Sequence, residues 1–325
     1  MSQTIKKQLE NVVYGCISSG HSKRADKFND AIDTSWKIYS DTSWQDMRDL
    51  ARNLGDYIRD HHPDITRVYH IGSEVIQAYL ESKASTCVDE TLRKIYSRLK
   101  KFESCCKHVY FRDKDKFNWG MEKVTVPKSI KVAEYKKDKP IPLEVAKTAI
   151  FDLHEKRSET VNAVVVSTYV GTRVEESTCL KVGNIHFSGG EFGLGWVQII
   201  KGSEGGAKGG RPRVIPIINK EAHDTLKSVV AGKNPDDYVV STTKGDKMTP
   251  DNVNVMFRDV LKERHGDTYL FNGCHGLRKS FAQRYYDIVR EKRSKEEAVS
   301  KTNMVLGHGK NRGEQGIKTY VANMH

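Results

Sequence analysis

The sequence predicts a mainly α-helical chain with one small antiparallel β-sheet, divided into an all-helical N-terminal domain and an α+β C-terminal domain. Three observations carry this. Apolar residues recur at helical spacing over most of the length, three short β-like runs follow residue 180, and a basic stretch without periodicity separates the two parts, ending at Pro140-Ile141-Pro142. At roughly 150 residues per domain, 325 residues suggest two domains, each large enough to bury a core without disulfides or a structural metal.

Trp44, Met47, Leu50, Leu54 and Ile58 mark an amphipathic helix over 44–61, with Thr42-Ser43-Trp44-Gln45 as its expected capping box. Val75, Ile76, Tyr79 and Leu80 predict a second helix over 73–83. Leu92, Ile95, Leu99, Phe102 and Val109 predict a third over 89–110. After the proline pair come helices over 142–156 and 158–170. Strands are predicted over 184–187, 196–200 and 214–217, the last two flanking a glycine-rich turn from Gly202 to Gly210. Helical patterns then occupy 220–231, 250–264, 275–290 and 295–306, with a short last one around 317–321. The expected organisation is an N-terminal extension at 1–41, a helical domain at 42–125, a basic linker at 126–141 and a second domain at 142–325.

Lys and Arg number 54 against 42 Asp and Glu, a net charge of +12 that points to a polyanionic partner, nucleic acid before anionic membrane. The excess is local. Residues 1–90 hold 11 basic and 14 acidic side chains, whereas residues 91–139 hold 15 and 6. Within the third helix Arg93, Lys94, Arg98, Lys100, Lys101 and Lys107 form a candidate DNA-facing set. No apolar run of about 18 residues suggests a membrane span, and Met1 to Lys7 lead into Gln-Leu-Glu-Asn rather than an apolar signal core. A soluble, cytoplasmic, nucleoid-associated protein is expected. The six cysteines show no metal-ligand spacing and read as thiols in a reducing compartment.

Four fragments of the C-terminal part draw attention together. They are Gly171-Thr172-Arg173-Val174-Glu175-Glu176, Lys208-Gly209-Gly210-Arg211-Pro212-Arg213-Val214-Ile215-Pro216, His275-Gly276-Leu277-Arg278, and Leu306-Gly307-His308 followed by Thr319-Tyr320-Val321. In this order and spacing they resemble the tyrosine recombinases, the phage integrase family of the lambda-integrase class. The resemblance extends more loosely to residues 42–125, where the family places a helical core-binding domain that helps clamp duplex DNA.

The resemblance implies a site-specific recombinase, integrating or excising a mobile element or phage through a 3′-phosphotyrosyl intermediate, with no cofactor and no metal. Tyr320 would be the nucleophile. Arg173 and Arg278 would meet the charge that builds on the phosphate, a task for which rigid, permanently charged guanidiniums are suited. His275 and His308 would donate to that phosphate or handle the nucleophile's proton. Lys208 would protonate the leaving 5′-oxygen, Lys201 being the alternative, and Glu176 would buttress the site. The implied partner is double-stranded DNA with inverted-repeat core sites, bound by a homo-tetramer of two dimers, with no membrane. Alternatives are a type IB topoisomerase-like enzyme and a DNA-binding protein of the same fold that has lost its chemistry. The interval from His308 to Tyr320 is longer than the family's usual one and its residues 310–316 read as a loop, which predicts a loose tyrosine segment acting in cis or in trans. Only Val321 to His325 follow, where the family places a further docking element.

Overall fold

The computed structural model describes residues 3–21, 23–29, 31–131, 139–156, 158–200, 212–269, 273–309 and 312–324. The chain divides into two compact units, Met1–Tyr135 and Lys136–His325.

The first unit contains α1 (Ile5–Gly15), α2 (Lys23–Lys27), α3 (Asp41–His61), α4 (Ser73–Lys83) and α5 (Asp89–Val109). Residues 1–41, read from the sequence as an extension, contribute to the core of this unit. Ile5, Leu9, Val12 and Val13 of α1 are buried in one cluster with Met47, Leu50, Leu54 and Ile58 of α3. The two helices meet at Gly55, where a Cβ would lie 2.7 Å from the Lys6 Cα, so only a glycine lets the backbones approach this closely. The capping box expected at Thr42 to Gln45 is not the one formed. Ser40 is extended and its hydroxyl accepts from the Ser43 N–H, so α3 starts earlier, at Asp41.

The second unit contains α6 (Leu143–Glu155), α7 (Val161–Val170), α8 (Val174–Cys179), α9 (Lys220–Val230), α10 (Pro250–His265), α11 (Cys274–Arg290), α12 (Lys295–Val305) and α13 (Gly313–Ile317). Its sheet is antiparallel in the order β1 (Ile185–His186), β2 (Trp196–Ile199), β3 (Arg213–Pro216). Val197, Ile199 and Ile215 face the core while Gln198 and Val214 face outward, the period-2 pattern of a half-buried sheet. The register pairs Trp196 with Pro216 and Ile199 with Arg213, which sets Arg213 at the hairpin end. Lys201 and Lys208 lie between these strands, outside the described residues.

The central element is α11. Leu277, Phe281, Tyr285, Arg278, Ala282 and Tyr286 are all buried and lie in two adjacent rows, so half of the helix circumference faces the core. Tyr285 and Tyr286 are therefore core residues. The short helix expected at 317–321 instead spans Gly313–Ile317, mostly within residues 310–316, the stretch expected to be a loop. It is held by tertiary contacts more than by propensity: Ile317 and Val321 are buried, and Asn303 donates its amide to the Gly313 carbonyl at 2.8 Å. No described helix is long and apolar enough to cross a membrane. All six cysteines are unbridged, and Cys87 alone of them is not buried.

Candidate active site

A helix ends with backbone carbonyls that have no partner of their own and with a partial negative charge. At the C-terminus of α12 three arginines satisfy that end. Arg213 Nε donates to the Val305 carbonyl at 2.7 Å, while Nη2 of Arg278 and Nη2 of Arg173 donate to the Leu306 carbonyl at 2.5 and 3.4 Å. The end of this helix thus gathers cations from three separate elements.

Arg173 sits at the N-cap of α8, one turn before Glu176. Its backbone N–H and its Nη1 each donate to that carboxylate at 2.8 Å. Arg278, fully buried on α11, also donates Nη1 to the Gly171 carbonyl at 2.5 Å. Gly171 closes α7 with a positive φ of 66°, and a Cβ there would fall 2.1 Å from the Phe281 ring, so glycine alone permits both the turn and the packing of α11. The Nε of Arg278 is buried with no hydrogen-bond partner among the described residues. Burial first, and the charge of Arg173 next, lower the Arg278 pKa to about 9, which leaves it charged at neutral pH.

Glu176 has no exposed side-chain surface, yet it is ionised. Burial on its own would raise its pKa, but the Arg213 hydrogen bonds and charge, together with Arg278 and the Arg173 N–H, hold it at about 2. Arg213 grips it with Nη1 at 2.8 Å and Nη2 at 2.6 Å, the two-pronged geometry of a strong charge-assisted pair. Arg278 Nη1 lies 3.7 Å from it. Sequence reasoning assigned no role to Arg213. One signal was available: an arginine at the start of a predicted return strand, with alternation placing Ile215 inward on the same face.

Tyr320 follows α13, its N–H bonded to the Ile317 carbonyl at 2.7 Å, and its ring reaches this cluster within the same chain. The rings of His308 and His275 lie 5.0 and 5.2 Å from it, centroid to centroid, and the Arg278 Cζ lies 5.7 Å from it. The structure therefore brings together Arg173, Glu176, His275, Arg278, His308 and Tyr320 of one chain. Lys208 and its alternative Lys201 lie outside the described residues.

His308 Nδ1 lies 2.6 Å from the Gly316 carbonyl. A carbonyl only accepts, so Nδ1 carries the proton and the neutral ring has its lone pair on Nε2. Burial, aided by the charges of Arg278 and Arg173 and opposed by the Gly316 carbonyl, lowers the His308 pKa to about 4. The folded protein thus resists protonation of a group that the unfolded chain protonates near its ordinary value of 6.5. The His308 contribution to stability is complete above about pH 6.5 and declines as pH falls toward 4. In urea unfolding, the stability advantage of wild type over His308→Gln should shrink between pH 7 and pH 5; an advantage independent of pH would contradict this.

In the first unit, helical geometry separates the α5 cations into two stripes. Arg93, Lys100 and Lys107 recur every seven residues on the exposed side; Lys107 also pairs with Glu103, and the Lys100 ammonium stands 5.2 Å from the Tyr96 ring. Lys94, Arg98 and Lys101 form the second stripe, bordering buried Cys105. There Lys94 pairs with Glu90, Arg98 with Asp46, and half-buried Lys101 donates to the Lys37 carbonyl at 2.6 Å. The six cations expected as one set are thus split, and Arg98 and Lys101 direct donors into their own unit.

A buried arginine–carboxylate core, two histidines and a tyrosine at the end of the chain, on a mainly helical fold with a three-stranded sheet, define a class: tyrosine-based DNA strand transferases. The phage integrase family, the tyrosine recombinases, matches residues 144–294 of this chain. Solved structures with a similar fold include a lambda integrase dimer bound to a COC′ core site (15% identity, 91% of this chain and 75% of that one, TM-score 0.55). The XerH site-specific recombinase bound to palindromic difH substrate matches at 15% identity over 98% and 96% of the two chains, with TM-score 0.55. The Tn1549 transposon integrase in complex with circular intermediate DNA matches at 12% identity over 97% and 95%, with TM-score 0.56. No curated protein matches by sequence.

Proposed function

We propose that this tyrosine-type site-specific recombinase cuts and rejoins DNA strands through a 3′-phosphotyrosyl bond at Tyr320, integrating or excising a mobile element or phage. The observation that carries the reading is the convergence of Arg278, His275 and His308 on Tyr320, with Arg173 sharing the Leu306 carbonyl with Arg278. In the proposed step the Tyr320 oxygen forms a bond to phosphorus as the bond to the 5′-oxygen breaks. Neutral His308 is suited to take the phenolic proton, because its lone pair is on Nε2. Arg173 and Arg278, with His275, meet the charge that develops on the non-bridging oxygens. The phosphodiester is exchanged for a phosphotyrosyl ester, so rejoining by attack of the 5′-hydroxyl requires no ATP.

Lys208 is assigned the proton for the leaving 5′-oxygen, with Lys201 as the alternative. Either alanine variant can be tested on DNA carrying a 5′-bridging sulfur, which leaves without a proton. Lys208→Ala should cleave an ordinary strand roughly 10²–10⁴-fold more slowly and recover on the sulfur substrate; recovery of Lys201→Ala instead would transfer the role. Duplex DNA with inverted-repeat core sites is the proposed substrate. Arg93, Lys94, Lys100 and Lys107 are the exposed α5 cations and the best placed for phosphate contacts, with Arg98 and Lys101 less available. A similar fold occurs in a lambda integrase tetramer on a Holliday junction, at 14% identity and TM-score 0.50, which supports a homo-tetramer of two dimers on DNA. The proposed location is the cytoplasm, associated with the nucleoid. Incubation with a nicked suicide duplex containing the target site should trap a covalent protein–DNA adduct on a denaturing gel; an intact protein band at saturating DNA would refute the chemistry.

A further inference from the structure

We propose that Arg213 is a positioning residue of the strand-transfer site, acting by neutralising Glu176 so that Arg173 and Arg278 keep their charge for the phosphate. The inference rests on the recombinase reading above. Among the described residues this cluster holds three guanidiniums, Arg173, Arg213 and Arg278, around one carboxylate. Glu176 is needed as an anchor, because it fixes the Arg173 backbone and side chain together. It is also a hazard. A buried anion beside two phosphate-binding cations cancels part of the field they exert, and in a desolvated site that cancellation is large.

The geometry assigns the compensation to Arg213. Both carboxylate oxygens receive an Arg213 donor, at 2.8 and 2.6 Å, whereas Arg278 stands back at 3.7 Å and uses its donors on the Gly171 and Leu306 carbonyls. Arg213 is 6% exposed, and its remaining Nε is tied to the Val305 carbonyl, so its whole fork faces inward with no donor directed to a substrate. Its place at the start of β3 also joins the hairpin to the cluster, since the strand cannot shift register without pulling this fork off Glu176. With Arg213 present the cluster carries a net charge of two; with a neutral residue in its place the same three groups carry one.

The test is the single-turnover rate of covalent adduct formation at saturating suicide duplex, with affinity measured separately. Arg213→Gln should slow the rate by about 10–100-fold. Arg213→Gln combined with Glu176→Gln, which removes the uncompensated anion, should be at least about 10-fold faster than Arg213→Gln alone, a coupling that a merely structural role would not produce. Arg213→Lys, which keeps the charge but loses the fork, should lie closer to wild type than Arg213→Gln. Thermal unfolding of each variant identifies a temperature at which all are folded, and if Arg213→Gln has none, the Arg213→Lys rate against wild type decides. A double variant no faster than the single, or Arg213→Lys slowed by more than about 100-fold, overturns the proposal. No adduct from the wild-type protein would instead be a failure of the recombinase reading itself.

Discussion

Tyr320→Phe should abolish the covalent protein–DNA adduct while leaving the protein folded and bound to DNA. The substitution removes one oxygen and keeps the ring that contacts His275, His308 and Arg278. A covalent mechanism without its nucleophile loses on the order of 10⁶-fold in rate, far below the detection limit of a gel assay. The stability cost should be about 1 kcal/mol or less, the net value of an ordinary hydrogen bond, because the side chain is only half-buried. Affinity for the target duplex, measured by a mobility shift, should change by no more than about twofold, since a phosphate is held chiefly by cations. An undiminished adduct would move the nucleophile elsewhere, and buried Tyr285 and Tyr286 are poorly placed to replace it.

Glu176→Gln should have the largest effect on stability. The shape is kept and the charge lost, leaving three guanidiniums packed around a neutral amide, and breaking a buried pair from one side costs roughly 3–5 kcal/mol. For a unit of this size the melting temperature should fall by roughly 6–20 °C. Duplex DNA should then stabilise the variant more than it stabilises wild type, because a phosphate supplies the missing anion. The sign with pH follows from the folded-state pKa of about 2 against the ordinary 4.5: the contribution is complete above about pH 4.5 and is lost as pH falls through 2. Acid unfolding monitored by circular dichroism should therefore begin at higher pH in the variant. A variant as stable as wild type would mean that the arginines hold one another in place through carbonyls alone.

Much of this site is legible in one dimension, because the chemistry demands residue types that are scarce together and their order along the chain is readable. Arg173, Glu176, His275, Arg278, His308 and Tyr320 were all named from their motifs, and the fold brings them to one place. Arg213 escaped notice for the opposite reason. In a chain rich in lysine and arginine, nothing about one more cation in a basic hairpin reveals that both its prongs point inward. Helix α1 was missed because its burial depends on a close crossing with α3 at Gly55, which no local pattern displays. The last helix was displaced for a related reason: Gly313 and Gly316 lower local helical propensity, and only the burial of Ile317 and the Asn303 hydrogen bond repay the cost. The start of α3 was ambiguous because Ser40, Asp41, Thr42 and Ser43 are all capable caps, and the backbone at Ser40 decided among them.

The hydrogen bond between His308 and the Gly316 carbonyl works as an interlock. Gly316 belongs to the short helix that carries the tyrosine, so the carbonyl that fixes the imidazole tautomer and the phenol that meets that imidazole travel on one segment. If the segment swings away, the nucleophile departs and the histidine loses the partner that kept its lone pair on Nε2. If it returns, both are restored in one motion. The place of the phenol and the tautomer of the imidazole beside it are thus set by one short stretch of backbone, so neither can be adjusted without the other.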